Sequence, residues 1–109
     1  MKHFVLPLPL SVNLTYKIFR NSMYKSKEAK EYTREVQLLL CREKPLEGDI
    51  ELTVRYFFPT MAGDVDNRTK LLLDSLQGRL FENDRQVKIL HSYVQKDANN
   101  PRVEVLINN

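Results

Sequence analysis

Four segments of the chain have the apolar pattern of β-strands. From Ile50 to Phe58, every second residue is apolar, which is typical of a half-buried strand. Similar alternation predicts strands from Gln86 to Gln95 and from Arg102 to Ile107, with a turn over residues 97–101. The apolar stretch from Lys2 to Leu8 predicts the first strand of the chain.

The segment after Ser26 has the apolar spacing of a helix. Ser26 is a favourable N-cap residue, and Glu28 and Glu31 lie in the first turn, where the helix dipole favours acidic side chains. The predicted helix ends near Arg42. Its core-facing residues are predicted to be Ala29, Tyr32, Val36, Leu39 and Leu40.

A second helix is predicted from about Asp66 to Gln77. Gly78 follows it in the usual C-terminal position. The core-facing stripe of this helix is predicted to be Thr69, Leu72, Leu73 and Leu76. The polar stretch between Pro9 and Ser26 is predicted to be irregular.

The order strand, helix, strand, helix, strand, strand predicts an α/β (α+β) fold. We expect one domain over residues 1–109, with a mixed four-stranded sheet, two helices covering it and a hairpin at the end. The composition, 42% apolar and 28% charged, is that of a globular protein and excludes long disorder.

The cysteine content and the apolar N-terminal segment predict that the protein is located in a reducing cytoplasm. Residues 1–10 are too few to span a bilayer and lack a signal-peptide cleavage site. The single cysteine, Cys41, cannot form an internal disulfide, and it is predicted to be a small buried hydrophobic residue. Two histidines and one cysteine cannot form an ordinary structural zinc site.

Basic residues are concentrated in one part of the chain. The net charge is +3, and residues 16–34 alone carry six basic and two acidic side chains among four aromatic ones. Such a segment is either a solvated surface or a nucleic-acid contact, and charge alone does not decide between them.

A group of acidic residues follows the strand that ends at Phe58. Asp64 and Asp66 lie where that strand gives way to a helix, and Lys70 and Asp74 continue the same helical face. Alternatively, Asp66 only caps the helix, and the charged residues on this face form ordinary ion pairs along it. Asp84 lies just before the next predicted strand. If that strand lies beside the strand that ends at Phe58, Asp84 is expected to lie close to Asp64 and Asp66.

Clustered carboxylates repel one another unless a cation compensates them. An all-oxygen ligand set favours Mg²⁺, with Mn²⁺ as a substitute, and hydrolysis of a phosphodiester is the natural chemistry of such a site.

These residues form a spaced motif that resembles the RusA family of Holliday junction resolvases, common in bacteriophages and prophages. The motif is Asp64-x-Asp66-Asn67-x-x-Lys70, then Asp74-x-Leu76, then Asn83-Asp84-x-Gln86-Val87. Ser11, Asn13, Tyr16, Tyr24 and Ser26 extend the resemblance towards the N-terminus.

The resemblance implies a crossover junction endodeoxyribonuclease of DNA recombination and repair. It implies that Asp64, Asp66 and Asp84 are catalytic metal ligands, that Lys70 is a catalytic lysine facing the scissile phosphate, and that Asp74 supports them. It also implies a homodimer acting on four-way or branched DNA, without a membrane or an organic cofactor. Candidate DNA-binding residues are Asn13, Tyr16, Lys17, Arg20, Lys25, Asn67, Arg68 and Arg85.

The chain departs from the family pattern in two places. It has Asn83-Asp84 where many relatives carry an acidic pair, and residues 60–63 lack the basic side chains that often precede the first aspartate. A DNA-binding phage protein with weak or no catalysis, or a nuclease for branched DNA in general, therefore remains an alternative.

Other residues are assigned to the structure. His91, and similarly His3, are predicted to be partly buried and hydrogen-bonded, and at least one of Phe57 and Phe58 is expected in the core. A dimer surface is expected among outward-facing strand residues, with Phe57, Leu90, Val94 and Leu106 as candidates.

Overall fold

In the residues that it describes, a computed structural model has eight regular elements and one short 3₁₀ turn. It describes residues 1–10, 16–19, 22–60 and 65–109, and only the backbone of 16–19, 22–25 and 65–67. The elements are β1 (Lys2–Leu6), β2 (Tyr16–Phe19), β3 (Ser22–Lys25), α1 (Lys27–Leu39), β4 (Ile50–Phe58), α2 (Val65–Leu76), the 3₁₀ turn (Asp84–Gln86), β5 (Val87–Lys96) and β6 (Arg102–Asn108).

Four strands form one mixed sheet in the order β1-β6-β4-β5. β4 pairs with β5 in parallel and with β6 in antiparallel orientation, and β1 lies antiparallel to β6 at the far edge. The two helices pack against each other and cover the apolar side of β4. The predicted fold class, a single domain with a mixed four-stranded sheet and two helices, is confirmed.

The predicted terminal hairpin is wrong. β4 lies between β5 and β6, and residues 97–101 carry the chain across its end, where the N–H of Asp97 donates to the carbonyl of Phe58 at 2.7 Å. A short connection suggests a hairpin locally, but β4 is apolar enough to be buried in the middle of the sheet and takes a neighbour on each side.

The stretch before Ser26 was predicted to be irregular, and this is also wrong in part. β2 and β3 form a separate two-stranded antiparallel sheet, with Tyr16 opposite Lys25 and Phe19 opposite Ser22. Its strands have only four residues each, so their polar sequence carries little periodic signal.

Helix α1 begins as predicted and ends earlier than predicted. The Ser26 hydroxyl accepts a hydrogen bond from the N–H of Ala29 at 3.1 Å, which confirms the N-cap. At the other end Leu40 is buried, whereas Leu39 is 58% exposed and Cys41 is exposed, so the predicted burial of these two residues is wrong. The backbone leaves the helical conformation at Leu40, and helical spacing no longer decides which side chain faces inward.

Helix α2 has the predicted position, and its buried stripe differs in detail. Leu72 and Leu76 are fully buried as predicted, and so is Leu71, while Thr69 and Leu73 are only half-buried. Gly78 follows with φ +87°, the left-handed conformation that glycine adopts most readily. No helix in the described part of the chain is long and apolar enough to cross a membrane.

Two buried tyrosines connect the helices to the sheet. The hydroxyl of Tyr32 in α1 donates to the carbonyl of Pro7 at 2.8 Å, and burial raises the pKa of Tyr32 well above its ordinary value. The hydroxyl of Tyr56 in β4 is 2.7 Å from that of Thr69 in α2. The described core comprises Leu6, Ala29, Tyr32, Val36, Leu40, Ile50, Leu52, Val54, Tyr56, Phe58, Leu71, Leu72, Leu76, Leu80, Phe81, Val103, Val105 and Ile107.

An ionic cluster holds the turn between β5 and β6. Arg102 donates to Glu104 at 2.8 Å and to Asp97 at 2.9 Å, and its guanidinium lies 3.8 Å from the ring centroid of Phe57. The hydrogen bond from Arg102 holds the pKa of Asp97 below its ordinary value, with a further contribution from the N–H of Asn100. Arg102 also lowers the pKa of Glu104.

This cluster predicts a loss of stability in acid. Both carboxyl pKa values are lower in the folded chain than in the unfolded chain, so the stabilisation is present above the ordinary values near pH ~4 and is lost as the pH falls through the lowered values. We expect Arg102→Gln to reduce the difference in melting temperature between pH 6 and pH 3. The same difference in the variant and the wild-type protein, measured by circular dichroism, would contradict this assignment.

Candidate active site

The first part of the acidic motif lies where β4 ends and α2 begins. Asp64 is outside the described residues, and Asp66 lies in the first turn of α2, with only its backbone described. Lys70 and Asp74 follow at four-residue intervals, so the three positions share one face of the helix. The Lys70 side chain is exposed and that of Asp74 is half-buried.

The second part of the motif is a capped 3₁₀ turn that presents Asp84 to solvent. The side chain of Asn83 accepts a hydrogen bond from the N–H of Arg85 at 2.9 Å. The side chain of Gln86 accepts in return from the N–H groups of Asn83 and Glu82, each at 3.0 Å. This reciprocal capping satisfies the open end of the turn and leaves Asp84 exposed at its start.

Gln86 also attaches this turn to the rest of the chain. Its amide nitrogen donates to the carbonyls of Leu46 and Gly48, both at 2.9 Å. The N–H of Asp84 donates to the side-chain oxygen of Gln77 at 3.2 Å. The backbone that carries Asp84 is therefore held from two sides, by the loop before β4 and by the residue after α2.

A polar network fixes the end of α2 against α1. The amide nitrogen of Gln37 donates to the carbonyl of Ser75 at 2.6 Å and to that of Gln77 at 3.1 Å. The Nε of Arg79 donates to the amide oxygen of Gln37 at 2.9 Å. Because Gln77 in turn binds the backbone of Asp84, this network contributes to the placement of the candidate carboxylate.

In the described backbone, Asp66 and Asp84 lie at opposite ends of the parallel pair of strands β4 and β5. β5 lies beside β4, the condition under which Asp84 was expected to return to the first aspartates, but the strands are parallel, with Ile50 opposite Val87 and Phe58 opposite Lys96. Asp84 therefore lies where the strands begin, whereas Asp66 lies beyond the end of β4. A helix rises about 1.5 Å per residue, so the eleven residues from Asp66 to Gln77 span roughly 16 Å.

The donor set of the motif fits magnesium by its chemistry. Carboxylate oxygens are the ligands that Mg²⁺ prefers. Among residues whose side chains are described, no three Asp, Glu, His or Cys side chains are close enough to share a metal ion, and Asp64 and Asp66 are not among these residues. A shallow cavity lined by Asp49, Glu51 and Lys88 lies at the start of β4.

The candidate DNA-binding residues lie in several parts of the chain. Asn13 and Arg20 lie outside the described residues, and the β2–β3 hairpin carries the backbone of Tyr16, Lys17 and Lys25. Asn67 lies in the first turn of α2, also with only its backbone described, and Arg85 is exposed beside Asp84.

Arg68 makes contacts within its own chain. Its guanidinium donates to the carbonyl of Pro9 at 2.6 Å and lies 4.8 Å from the ring centroid of Phe58. These contacts attach the start of α2 to the segment after β1 and to the end of β4.

The histidines and phenylalanines have structural contacts. His91 is half-buried and lies 2.7 Å from Glu51, as predicted, whereas His3 is exposed and lies 3.1 Å from Glu104. Phe58 is buried in the core, which confirms the prediction for at least one phenylalanine of the pair.

Sequence reasoning did not identify the positioning roles of Asn83, Gln86 and Gln37. A signal for the first two was present, because a capping residue followed three positions later by Gln is the pattern of a capping box. Gln37 had no comparable signal, since its partners lie about forty positions away along the chain.

Comparison with known proteins bears on nearly the whole chain. No curated protein matches the sequence. A family profile described as "Endodeoxyribonuclease RusA" matches residues 7–108, which include every part of the motif from Asp64 to Val87. The chain therefore belongs to the RusA endodeoxyribonuclease family.

Proposed function

We propose that this protein resolves four-way DNA junctions by metal-dependent, paired cleavage of two strands of like polarity. The observation that carries the proposal is the match of the chain to the RusA family over residues 7–108. The structure adds support at Asp84, whose backbone is held by a fully capped turn while its carboxylate remains accessible.

Asp64, Asp66 and Asp84 would hold Mg²⁺, or Mn²⁺ in its place. When bound, the ion neutralises charge on the phosphate and lowers the pKa of a coordinated water. Lys70 lies one helical turn after Asp66 and is exposed, so a substrate as large as DNA can reach it. Its ammonium group would stabilise the negative charge that develops on the scissile phosphate.

Residues around the two acidic segments would bind the DNA backbone. Arg85 is exposed next to Asp84, and the β2–β3 hairpin carries Lys17 and Lys25. Phosphate contacts of this kind position a nucleic acid without reading its sequence. Selection of the junction would then depend on the arrangement of several such contacts.

Paired cutting requires two active sites. One chain carries one set of the motif, so we propose a two-fold symmetric homodimer, whose symmetry matches that of a four-way junction. The second candidate function is DNA binding with weak or no catalysis, which the absence of basic residues at 60–63 favours.

Cleavage of a synthetic four-way junction distinguishes these functions. With Mg²⁺ we expect two symmetric cuts and two nicked duplexes, and no cleavage in EDTA or of linear duplex DNA of the same sequence. Equal cleavage of forks and flaps would indicate a general nuclease for branched DNA. Binding without cleavage at any Mg²⁺ or Mn²⁺ concentration would refute the nuclease proposal.

The proposed metal ligands predict one set of variants. Asp64→Asn, Asp66→Asn and Asp84→Asn should each abolish junction cleavage while binding persists, because they remove metal ligands and no phosphate contacts. Gel shifts in EDTA measure binding separately from cleavage. Asp49→Asn, which alters an exposed aspartate outside the motif, is the matched control and should cut normally.

Lys70→Ala should lose cleavage out of proportion to binding. A single donor to a transition state contributes ~2.7–4 kcal/mol, so the cleavage rate should fall about a hundred- to thousandfold. Lys88→Ala, an exposed lysine on β5, is the control. If both variants cut at the wild-type rate, Lys70 has no catalytic role.

Gln86→Ala tests whether the capped turn positions Asp84. The change removes four hydrogen bonds and should destabilise the fold by about 1–3 kcal/mol. At a temperature where the variant is folded, its cleavage should still fall, and its apparent affinity for Mg²⁺ should weaken. Gln95→Ala, at the other end of β5, should change neither, and the same Mg²⁺ dependence in both variants would show that Gln86 is merely structural.

A further inference from the structure

The exposed charges of α1 are divided by sign between two sides of the helix. At about 100° per residue, the three basic residues fall within an arc of roughly 60°. We call them the basic row: Lys27, Lys30 and Arg34. The three acidic residues fall within a second arc of similar width, centred roughly 100° further round the helix: Glu28, Glu31 and Glu35. All six side chains are exposed, so α1 presents a basic and an acidic side to solvent.

The basic row lies on the side of α1 that is next to α2. The hydroxyl of Thr33 is 3.2 Å from that of Ser75, and the amide of Gln37 donates to the carbonyl of Ser75 at 2.6 Å, so this flank of α1 contacts α2. Lys30 lies roughly 60° further round the helix than Thr33, towards solvent. The acidic side faces away from α2. The row therefore borders the outer surface that the two helices form together.

The first half of α1 is held beside the start of α2. The hydroxyl of Tyr32 donates to the carbonyl of Pro7 at 2.8 Å, and the guanidinium of Arg68 donates to the carbonyl of Pro9 at 2.6 Å. Both carbonyls belong to the short segment that follows β1, at the end of the sheet where β4 also ends. The basic row thus lies at the end of the fold where the backbone of Asp66 enters α2.

Helix stability does not explain the basic row. Lys27 and Lys30 lie in the first turn, where the helix dipole disfavours positive charge, and the last turn has no basic residue. Lys30 and Arg34 are four residues apart, a spacing at which like charges destabilise a helix. The ion pair that the described side chains give this row is Lys27 with Glu31 at 4.0 Å. A pattern that opposes local stability is expected where a surface has a function.

We propose that the basic row binds the phosphate backbone of one duplex arm of the DNA substrate, beside the active site. The inference rests on the proposed function, because the arms of a four-way junction extend beyond the phosphates that are cut. Charge complementarity supports this occupant, and the family to which the chain belongs acts on DNA. The row would hold the arm without reading its sequence, since phosphate contacts carry no base information.

The spacing of the row fits a DNA strand. From Lys27 to Arg34 the helix rises by roughly 10 Å. Successive phosphates of one strand advance by ~3.4 Å along the duplex axis, so the row faces about three of them when the strand runs alongside α1. No apolar side chain lies between the three basic residues on this arc, whereas the centre of a protein interface is apolar. These features favour a phosphate backbone over an acidic protein.

The salt dependence of junction binding tests the row. We compare the wild-type protein with Lys30→Gln plus Arg34→Gln in EDTA, where DNA is bound and not cut. Each phosphate contact contributes about 0.9 to the slope of log affinity against log salt concentration, so the slope should become shallower by about 1.8. The control is Arg42→Gln plus Lys44→Gln, which removes the same two charges from exposed residues beyond the other end of α1. Its slope should equal that of the wild-type protein.

A charge-conserving variant separates binding from folding. Lys30→Arg plus Arg34→Lys keeps both charges and should keep the wild-type slope. The melting temperature of the glutamine pair should be unchanged or higher, because the like-charge repulsion within α1 is removed. A wild-type slope in the glutamine pair, or a slope change equal to that of the control pair, would overturn the proposal. A lower melting temperature would assign the two residues to the fold and overturn it as well.

Cleavage kinetics measure whether the row acts only in binding. The glutamine pair should need more protein for half-maximal junction cleavage and should reach the wild-type rate at saturation, because its residues hold an arm and not the cut phosphate. A lower maximal rate at an unchanged half-saturating concentration would contradict this role.

Photo-cross-linking locates the arm without relying on cleavage. In a Cys41→Ser background, Arg34→Cys labelled with a benzophenone should cross-link to the junction, whereas the labelled Lys44→Cys control should not. Equal cross-linking of both would overturn the row and leave the nuclease function standing. A wild-type protein that binds the junction through the row, but cuts no DNA with Mg²⁺ or Mn²⁺, would refute the nuclease proposal and support the row. A wild-type protein that binds no DNA would refute both.

Discussion

Burial of β4 in the centre of the sheet is the constraint on which the rest of the structure depends. Leu52, Val54 and Tyr56 are completely buried, and burying such an apolar side chain contributes about 1.5–3 kcal/mol. The strand has neighbours on both sides and helices over one face. Because α2 must return the chain to the start of the sheet, β5 pairs with β4 in parallel.

The parallel crossover determines where the described parts of the motif lie. It places the beginning of α2 at one end of the sheet and the capped turn of Asp84 at the other. A catalytic group needs its partners within a few ångströms.

Hydrogen bonds from long polar side chains fix the position of the 3₁₀ turn that carries Asp84. Gln86 bonds four backbone groups and Gln77 a fifth, so the chain around Asp84 is attached to both the loop before β4 and the end of α2. The turn itself buries none of its three residues. Its position therefore depends on polar contacts rather than on packing, and such contacts are directional enough to orient a carboxylate.

By itself, the sequence determined the strands and helices with long periodic patterns, the Ser26 cap, Gly78 at the end of α2 and the family motif. These features depend on neighbouring residues, so they can be seen in the order of the amino acids. It did not reveal that Leu39 is exposed, that β2 and β3 pair, or that β4 separates β5 from β6. Those outcomes required the tertiary structure. Strand order, and with it the end of the sheet at which Asp84 lies, depends on contacts between segments that are far apart in the sequence. Such contacts leave no pattern among neighbouring residues.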